Sequence, residues 1–174
     1  DGNATKHPMT IVSQEVRANE TWQVCATPNN KSIDGTTVCS NNVTILSAPI
    51  STCGSINVST TLVNDITSNG TCFTINASNV ALDCAGFSIF YGAAESGIGI
   101  TAGNLTNITI KNCVIKDINA TGANGWAINF TNIANSTIVN NTIQTNGTTD
   151  NYGIVLRLNS SNIIVENNTI RTLG

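Results

Sequence analysis

The stretch NSTIVNNTI, residues 135–143, is repeated almost unchanged as NIIVENNTI at residues 162–170. Two earlier segments, NVALDCAGFSI from residue 79 and NITIKNCVIKDI from residue 107, align with this pair, so that the four starts lie 28, 28 and 27 residues apart. A second block repeats in phase before each start, as TCFTINAS, GIGITAGNLT, GWAINFTNIA and GIVLRLNSS. A period of this size indicates stacked units, each with at least two short strands separated by Gly and Asn turns.

Residue types within each unit favour β-strands over helices. Val, Ile, Thr, Asn and Gly are weak helix formers, and the apolar positions do not follow a 3.6-residue period. Counting the first Asn of each unit as position zero, we expect offsets one, three and eight to point inward and offsets four and nine to point outward. The inward columns are Val80, Ile108, Ser136 and Ile163; Leu82, Ile110, Ile138 and Val165; and Phe87, Ile115, Ile143 and Ile170. The outward columns are Asp83, Lys111, Val139 and Glu166; and Ser88, Lys116, Gln144 and Arg171.

Units that place like residues over like are typical of a parallel β-helix. The segments NITIKNCVI, NSTIVNNTI and NIIVENNTI resemble the right-handed parallel β-helix repeat of pectate lyases, polygalacturonases and many secreted or cell-surface proteins. The resemblance covers about residues 53–174 and implies an all-β, right-handed, single-stranded parallel β-helix of about four coils of about 28 residues. Residues 1–52 show no such period and are predicted to form an N-terminal β arm or cap.

Asparagine recurs at the corners of the predicted coils. Its columns are Asn76, Asn104, Asn132 and Asn159; Asn79, Asn107, Asn135 and Asn162; and Asn112, Asn140 and Asn167. Asn tolerates the left-handed conformations that corners need, and stacked amides hydrogen-bond into ladders at the strand spacing of about 4.8 Å. Much of the asparagine is therefore expected to be architectural.

Sixteen of the 27 asparagines also begin the N-glycosylation motif Asn-x-Ser/Thr, where the Ser and Thr content predicts roughly six by chance. Seven of the ten asparagines before residue 79 lie in such motifs, in a region with little of the repeat, so we predict N-glycosylation at several sites. The alternative is a Thr- and Asn-rich β surface with accidental motifs. The predicted acceptors are Asn3, Asn19, Asn30, Asn42, Asn57, Asn69, Asn76, Asn104, Asn119, Asn129, Asn146 and Asn159.

The six cysteines are an even number without a CxxC pair, which in a weakly charged chain predicts disulfides made in an oxidising compartment. Proximity favours Cys25 with Cys39 and Cys53 with Cys72, leaving Cys84 and Cys113, among fifteen connectivities. The alternative is buried free thiols, and Cys113, inside NITIKNCVI, is the first candidate for one.

Composition and charge exclude several function classes. The chain of 174 residues, one domain or one domain with an extension, has a net charge of −3 and no basic stripe for nucleic acid. No apolar run approaches the roughly 20 residues that span a bilayer. No two of its ten acids stack as neighbours, so the paired carboxylates of glycosidases are not expected. Asp83 and Lys111 should pair across coils, Lys116 and Asp117 should lie on the surface, and the lone His7 gives a metal site little support. We expect no catalytic residue, cofactor or metal.

The two ends of the chain suggest assembly. It begins at Asp1 without an initiator Met, as a mature product or a fragment would, and it stops within a repeat. An uncovered last coil leaves half-exposed apolar residues and a strand edge that invites association. The segment TIVSQEV, residues 10–16, is the candidate for strand addition to a neighbour. The predicted assembly interface comprises Ile11, Val12, Val16, Ile163, Val165 and Ile170.

These features favour a non-catalytic structural glycoprotein, secreted to the cell surface or beyond, that self-assembles head to tail into a filament or surface layer. Its predicted partners are further copies of itself and covalent N-glycans. Two alternatives stay open: a glycan-binding adhesin shaft, and a fragment of a carbohydrate-active lyase or hydrolase by fold analogy alone. An adhesin would use Trp126, Phe130 and Tyr152 as a sugar-stacking platform, although packing within the coils is the favoured role for these rings.

Overall fold

The computed structural model describes residues 20–44, 47–119 and 125–173, and the chain forms two compact units, Asp1–Leu46 and Ser47–Gly174. The predicted acceptors Asn3 and Asn19 and the predicted interface residues Ile11, Val12 and Val16 lie outside the described residues. Every regular element among the described residues is a β-strand, which confirms the all-β prediction. None of the described residues belongs to a helix long and apolar enough to cross a membrane.

The described part of the first unit, residues 20–44, is a two-stranded antiparallel structure that we call the ribbon. Strand β1 (Thr21–Trp22) pairs with β4 (Val43–Thr44), and β2 (Cys25–Ala26) pairs with β3 (Val38–Cys39). The Ser40 backbone N–H donates to the carbonyl of Val24 at 2.7 Å, which links the two strand pairs.

The second unit is a parallel β-solenoid whose strands stack along three faces. The first face holds β6 (Gly54–Ile56), β9 (Phe73–Ile75), β12 (Ile98–Thr106), β15 (Trp126–Val139) and β17 (Ile154–Arg157). The second holds β5 (Ala48–Ile50), β7 (Thr60–Leu62), β10 (Ala81–Asp83), β13 (Thr109–Lys111) and β18 (Ser161–Glu166). The third holds β8 (Ile66–Thr67), β11 (Ser88–Tyr91), β14 (Val114–Asp117), β16 (Thr142–Thr145) and β19 (Thr169–Thr172). The long strand β15 continues around the corner and pairs with both β17 and β18.

Four turns of the solenoid lead from β6 to β17, and the predicted register is confirmed. Leu82 pairs with Ile110, Ile110 with Ile138, and Ile138 with Val165. The first three are fully buried. Each fully buried aliphatic side chain stabilises the fold by about 1.5–3 kcal/mol, so this column is part of a continuous core.

One predicted column is wrong in its first coil. Ile89, not Phe87, pairs with Ile115, and Phe87 is exposed. The cause is a tight turn at Ala85 and Gly86, both with positive φ, in which the Phe87 N–H donates to the Cys84 carbonyl at 2.8 Å. The turn adds two residues to this coil, so the next strand begins two residues later. Because side chains alternate with a period of two, the parity of inward and outward positions is unchanged. In consequence Phe90, rather than Ser88, pairs with Lys116, whose ammonium lies 5.7 Å from the Phe90 ring centroid.

The disulfide prediction is confirmed for all three pairs. Cys25 bonds to Cys39, Cys53 to Cys72 and Cys84 to Cys113, so the free-thiol alternative for Cys113 is wrong. The Cys25 pair joins opposite strands of the ribbon, whereas the other two join successive coils.

Candidate functional site

The coil built from β17, β18 and β19 gathers the assembly residues that were predicted near the C-terminus. Val165 lies directly below Ile138 and Ile170 directly below Ile143. Ile138 is 0% exposed because Val165 covers it, but Val165 itself keeps 44% of its surface exposed. Ile163 is partly buried against the core. Within the described residues no further strand pairs below this coil, so we call it the open coil.

Sequence reasoning missed two further residues of this surface. Leu156 lies below the fully buried Phe130, and Ile154 lies below Ile128. Leu156 is as exposed as Val165. Aligning GIVLRLNSS with GWAINFTNIA from their glycines gives the inward parity of Ile154 and Leu156, but the observed register is shifted by two residues from that alignment. The open coil therefore exposes apolar side chains from all three faces of the solenoid.

The aromatic platform that the adhesin alternative would use does not form. Phe130 is fully buried in the core, away from the surface that Tyr152 occupies. The guanidinium of Arg157 lies 4.1 Å from the centroid of the Trp126 ring, and the Trp126 indole N–H donates to the Asp150 carbonyl at 2.8 Å. Trp126 therefore already has a stacking partner from the adjacent coil.

Asparagine ladders run along the corners as predicted. The Nδ2 of Asn107 donates to Oδ1 of Asn79 at 2.9 Å, and that of Asn132 donates to Oδ1 of Asn104 at 2.8 Å. Left-handed φ occurs at Asn79, Asn104, Asn107, Asn112, Asn132, Asn135, Asn140, Asn162 and Asn167. These corners explain much of the asparagine content by backbone conformation alone.

The outermost Asn column is wrong at both of its ends. Asn76 pairs in register beside Gly103, one residue before the corner at Asn104. In the last coil the corner is taken by Leu158, with φ of 52°, rather than by Asn159. The segment after Leu158 has one residue more than the coil above it, which the fixed-offset alignment did not allow for.

A second, inward column was not predicted. The backbone N–H of Cys113 donates to Oδ1 of Asn141 at 2.9 Å, and the backbone N–H of Asn141 donates to Oδ1 of Asn168, also at 2.9 Å. Nδ2 of Asn141 donates to Oδ1 of Asn168 and to the carbonyl of Ile110. The column thus continues the Cys84–Cys113 disulfide as a pair of stacked amides.

The predicted glycosylation acceptors in the described residues differ in exposure. The exposed ones are Asn30, Asn42, Asn57, Asn69, Asn76, Asn104 and Asn159, and the partly buried ones are Asn119, Asn129 and Asn146. Nδ2 of Asn129 lies 3.5 Å from Oγ1 of Thr101, and its Oδ1 is buried without a hydrogen-bond partner. A glycan needs an accessible Nδ2, so exposure favours the first group.

Several hydroxyls of the Asn-x-Ser/Thr motifs have a structural role. They accept backbone N–H groups from the next coil at 3.0–3.1 Å: Ser59 from Ala81, Thr71 from Ile98, and Ser78 from Thr106. These three belong to the motifs of Asn57, Asn69 and Asn76. The solenoid therefore accounts for hydroxyls in motifs that precede residue 79, where the sequence shows little of the repeat. Glycosylation itself stays a prediction.

The predicted pair across coils is confirmed. Nζ of Lys111 lies 3.1 Å from Oδ2 of Asp83, in a partly exposed position. Partial burial acts to raise the pKa of Asp83, but hydrogen bonds from Asn112 and Ala85 and the charge of Lys111 together hold that pKa below its usual value. An exposed pair of this kind contributes little stability, and its structural effect is to link two successive coils.

Asp117 is not on the surface, contrary to the prediction. It is buried at the end of β14, where one carboxylate oxygen accepts the Asn119 backbone N–H at 2.9 Å. A Cβ on Gly125 would overlap its Oδ2, so a larger residue there would force the carboxylate to shift. Burial raises the pKa of Asp117, against the effect of backbone hydrogen bonds from Asn119 and Asn146. Burial, and then the charge of Asp117, raises the pKa of the fully buried Tyr91.

Replacing Asp117 by Asn is expected to change how stability depends on pH. A raised folded-state pKa stabilises the fold below the unfolded value of about 3.9, and this stabilisation is lost as pH rises through the folded-state pKa. Relative to Asp117→Asn, the wild type should therefore lose thermal stability from about pH 4 upward and then level off. Unfolding temperatures measured from about pH 3 to 8 test this. Asp83→Asn is the control of opposite sign, because the lowered pKa of Asp83 stabilises at high pH. A difference between wild type and Asp117→Asn that stays constant with pH would refute the assignment.

The described residues hold no group of three or more His, Cys, Asp or Glu side chains that could bind a metal ion. Neither a scan against models of protein families nor searches of curated proteins and of solved structures found a significant match to this chain. Its function is therefore argued from the fold and from the open coil.

Proposed function

We propose that this protein is an extracellular structural glycoprotein that self-assembles head to tail. The observation that carries the proposal is the open coil, in which Val165, Ile170 and Leu156 continue buried core columns and remain about half exposed. A further coil stacked in the same register would bury these side chains. Supplied by another copy, that coil makes a heterologous contact, which generates a filament or ring.

The strength of such a contact follows from the exposed area. Full burial of an aliphatic side chain contributes about 1.5–3 kcal/mol, so half-exposed residues contribute roughly half of that each. Three such residues supply about 2–5 kcal/mol before the strand edges are counted. The unpaired backbone groups of β17, β18 and β19 add main-chain hydrogen bonds, which is how an exposed sheet edge recruits another chain.

The disulfides support a location outside the cell. Three cystines in one small chain form and persist in an oxidising compartment such as the extracellular space. Exposed Asn-x-Ser/Thr motifs at sites such as Asn30 and Asn69 suit covalent glycans on the same surface. Only 10% of residues are charged, so amides, hydroxyls and the proposed glycans would be the groups that solvate this surface.

Negative-stain electron microscopy of natively purified, undenatured protein tests the assembly. We expect unbranched filaments or closed rings whose repeat equals one solenoid unit. Dispersed particles that sediment as a single chain would refute it, as would a covering of the open coil by a continuation of the same chain.

Intact-mass measurement of the same preparation tests the glycans. We expect mass increments of whole hexose units that an amidase specific for N-glycans removes. A mass equal to that of the bare chain, less six hydrogens for three disulfides, would remove the glycoprotein part of the proposal and leave the assembly part standing.

A further inference from the structure

The ribbon has one apolar and one polar face. Trp22 pairs with Val43, and Ala26 pairs with Val38. Residues 23 and 24 connect β1 to β2, and Gln23 lies on the side of Cys25, with 3.7 Å between its Oε1 and the Cys25 Sγ. Val24 therefore faces the same side as Trp22 and Ala26. The apolar face of the ribbon therefore consists of Trp22, Val24, Ala26, Val38 and Val43.

The opposite face of the ribbon is polar and covalently fixed. It carries the Cys25–Cys39 disulfide, flanked by the hydroxyls of Thr27 and Thr37, which lie 2.6 Å apart. On the same strand, Gln23 donates from Nε2 to the carbonyl of Ser40 at 2.9 Å. These cross-strand links fix the register of the two strands from one side. The arrangement of the apolar side chains is therefore fixed by links on the polar face and not by a hydrophobic core within the ribbon.

The side chains of the apolar face are largely exposed. Val38 is 69% exposed, Val43 is 60% exposed and Val24 is 50% exposed. A two-stranded hairpin is marginally stable in water by itself and normally packs its apolar face on another element. Residues 21–26 and 38–44 include no charged side chain, but the indole N–H of Trp22 donates to the Glu20 carboxylate at 3.1 Å, so covering this face brings that ion to the edge of the contact. The ribbon has the properties of a docking element.

The open coil is a matching surface. Its uncovered inward side chains are mostly apolar, as at Leu156, Val165 and Ile170, with Asn168 and Thr172 as the inward polar neighbours. The charges around the two surfaces are opposite in net sign. The ribbon carries Glu20, Lys31 and Asp34, whereas the open coil carries Arg157, Glu166 and Arg171.

We infer that the apolar face of the ribbon covers the open coil of a second copy of this chain. This inference rests on the proposed head-to-tail assembly and names the two surfaces that meet in it. Val24 and its neighbours pack on Leu156 and Val165 of the next copy, while the disulfide face stays in solvent. The ribbon, whose two strands are joined by a disulfide, then covers the end of the solenoid core of the next copy.

Chemical crosslinking of two cysteine variants of the full chain tests the inference. In Val24→Cys/Leu156→Cys the two new thiols lie on the proposed contact surfaces, and a short bismaleimide should join successive copies into a ladder of covalent multimers. The control is Gln23→Cys/Leu156→Cys, in which the thiol at residue 23 points to the opposite face of the ribbon. We expect about tenfold more multimer from the first variant than from the control. Reducing, denaturing gels resolve the products, since thioether links survive reduction.

Each other outcome is decisive. A link within single chains, seen as monomer that has consumed both thiols, would overturn the inference, because the ribbon would then cover its own coil. Equal multimer from both variants, in a preparation that still forms filaments, would overturn the inference and leave the head-to-tail proposal intact. Wild-type protein that is wholly monomeric would overturn both.

Discussion

Replacing Val165 by Asp is expected to abolish assembly, while the same change at the adjacent Ile164 leaves it intact. The two residues are similarly exposed, at 44% and 54%. Val165 continues the inward column below Ile138, whereas Ile164 pairs with Thr137 and points outward. A second copy that covers the coil would bury an unpaired carboxylate at residue 165, at a cost of several kcal/mol. Each 1.4 kcal/mol weakens association about tenfold, so we expect a loss of at least roughly 100-fold.

Sedimentation velocity over a range of protein concentrations measures this loss, with electron microscopy of the same samples. Ile164→Asp should keep the wild-type unfolding temperature within a few degrees, because a substitution at an outward, exposed position changes stability by about 0.5 kcal/mol. Val165→Asp, which faces Ile138, should lower that temperature but keep a cooperative unfolding transition. Ile164→Asp thereby controls for the added charge, for the change in strand propensity and for expression. Filaments formed equally well by Val165→Asp would show that the open coil is not the contact surface.

The register of the solenoid was predictable because its chemistry repeats. The column of Leu82, Ile110, Ile138 and Val165 combines β-branched or aliphatic residues with a constant spacing, and both signals point to the same buried face. The alignment failed at Phe87, where the turn at Ala85 and Gly86 adds two residues. A two-residue insertion preserves the inward–outward alternation of a strand, so residue type alone gave no warning.

The parts of the site that escaped prediction depend on tertiary contacts. Asp117 looked like a surface acid, since an isolated carboxylate is normally solvated. Its burial follows from Gly125 and from backbone donors on other segments, such as Asn146, which a periodic alignment does not reveal. The ribbon contains no repeat, and its two faces depend on the cross-strand pairing of Trp22 with Val43.

The amide column offers the second large effect, because Asn141→Ala is expected to destabilise the solenoid by about 2–6 kcal/mol. Asn141 is 1% exposed, and its side chain serves the backbone N–H of Cys113 and the backbone carbonyl of Ile110. Truncation leaves both buried groups without that partner, at about 1–3 kcal/mol each. Asn141 does not have positive φ, so alanine introduces no backbone strain and the loss reports on the hydrogen bonds.

Thermal and chemical denaturation measure this loss, and Gln144→Ala is the matched control. Gln144 lies three residues later on the outward side of β16 and loses an amide without uncovering a buried group. The Asn141 variant should unfold roughly 5–15 °C lower than the wild type, against a change of about 2 °C or less for the control. Equal shifts in the two variants would mean that water replaces the amide at residue 141. A large shift for Asn141→Ala alone would show that buried asparagine continues, by hydrogen bonds, the link between coils that the Cys84–Cys113 disulfide makes covalently.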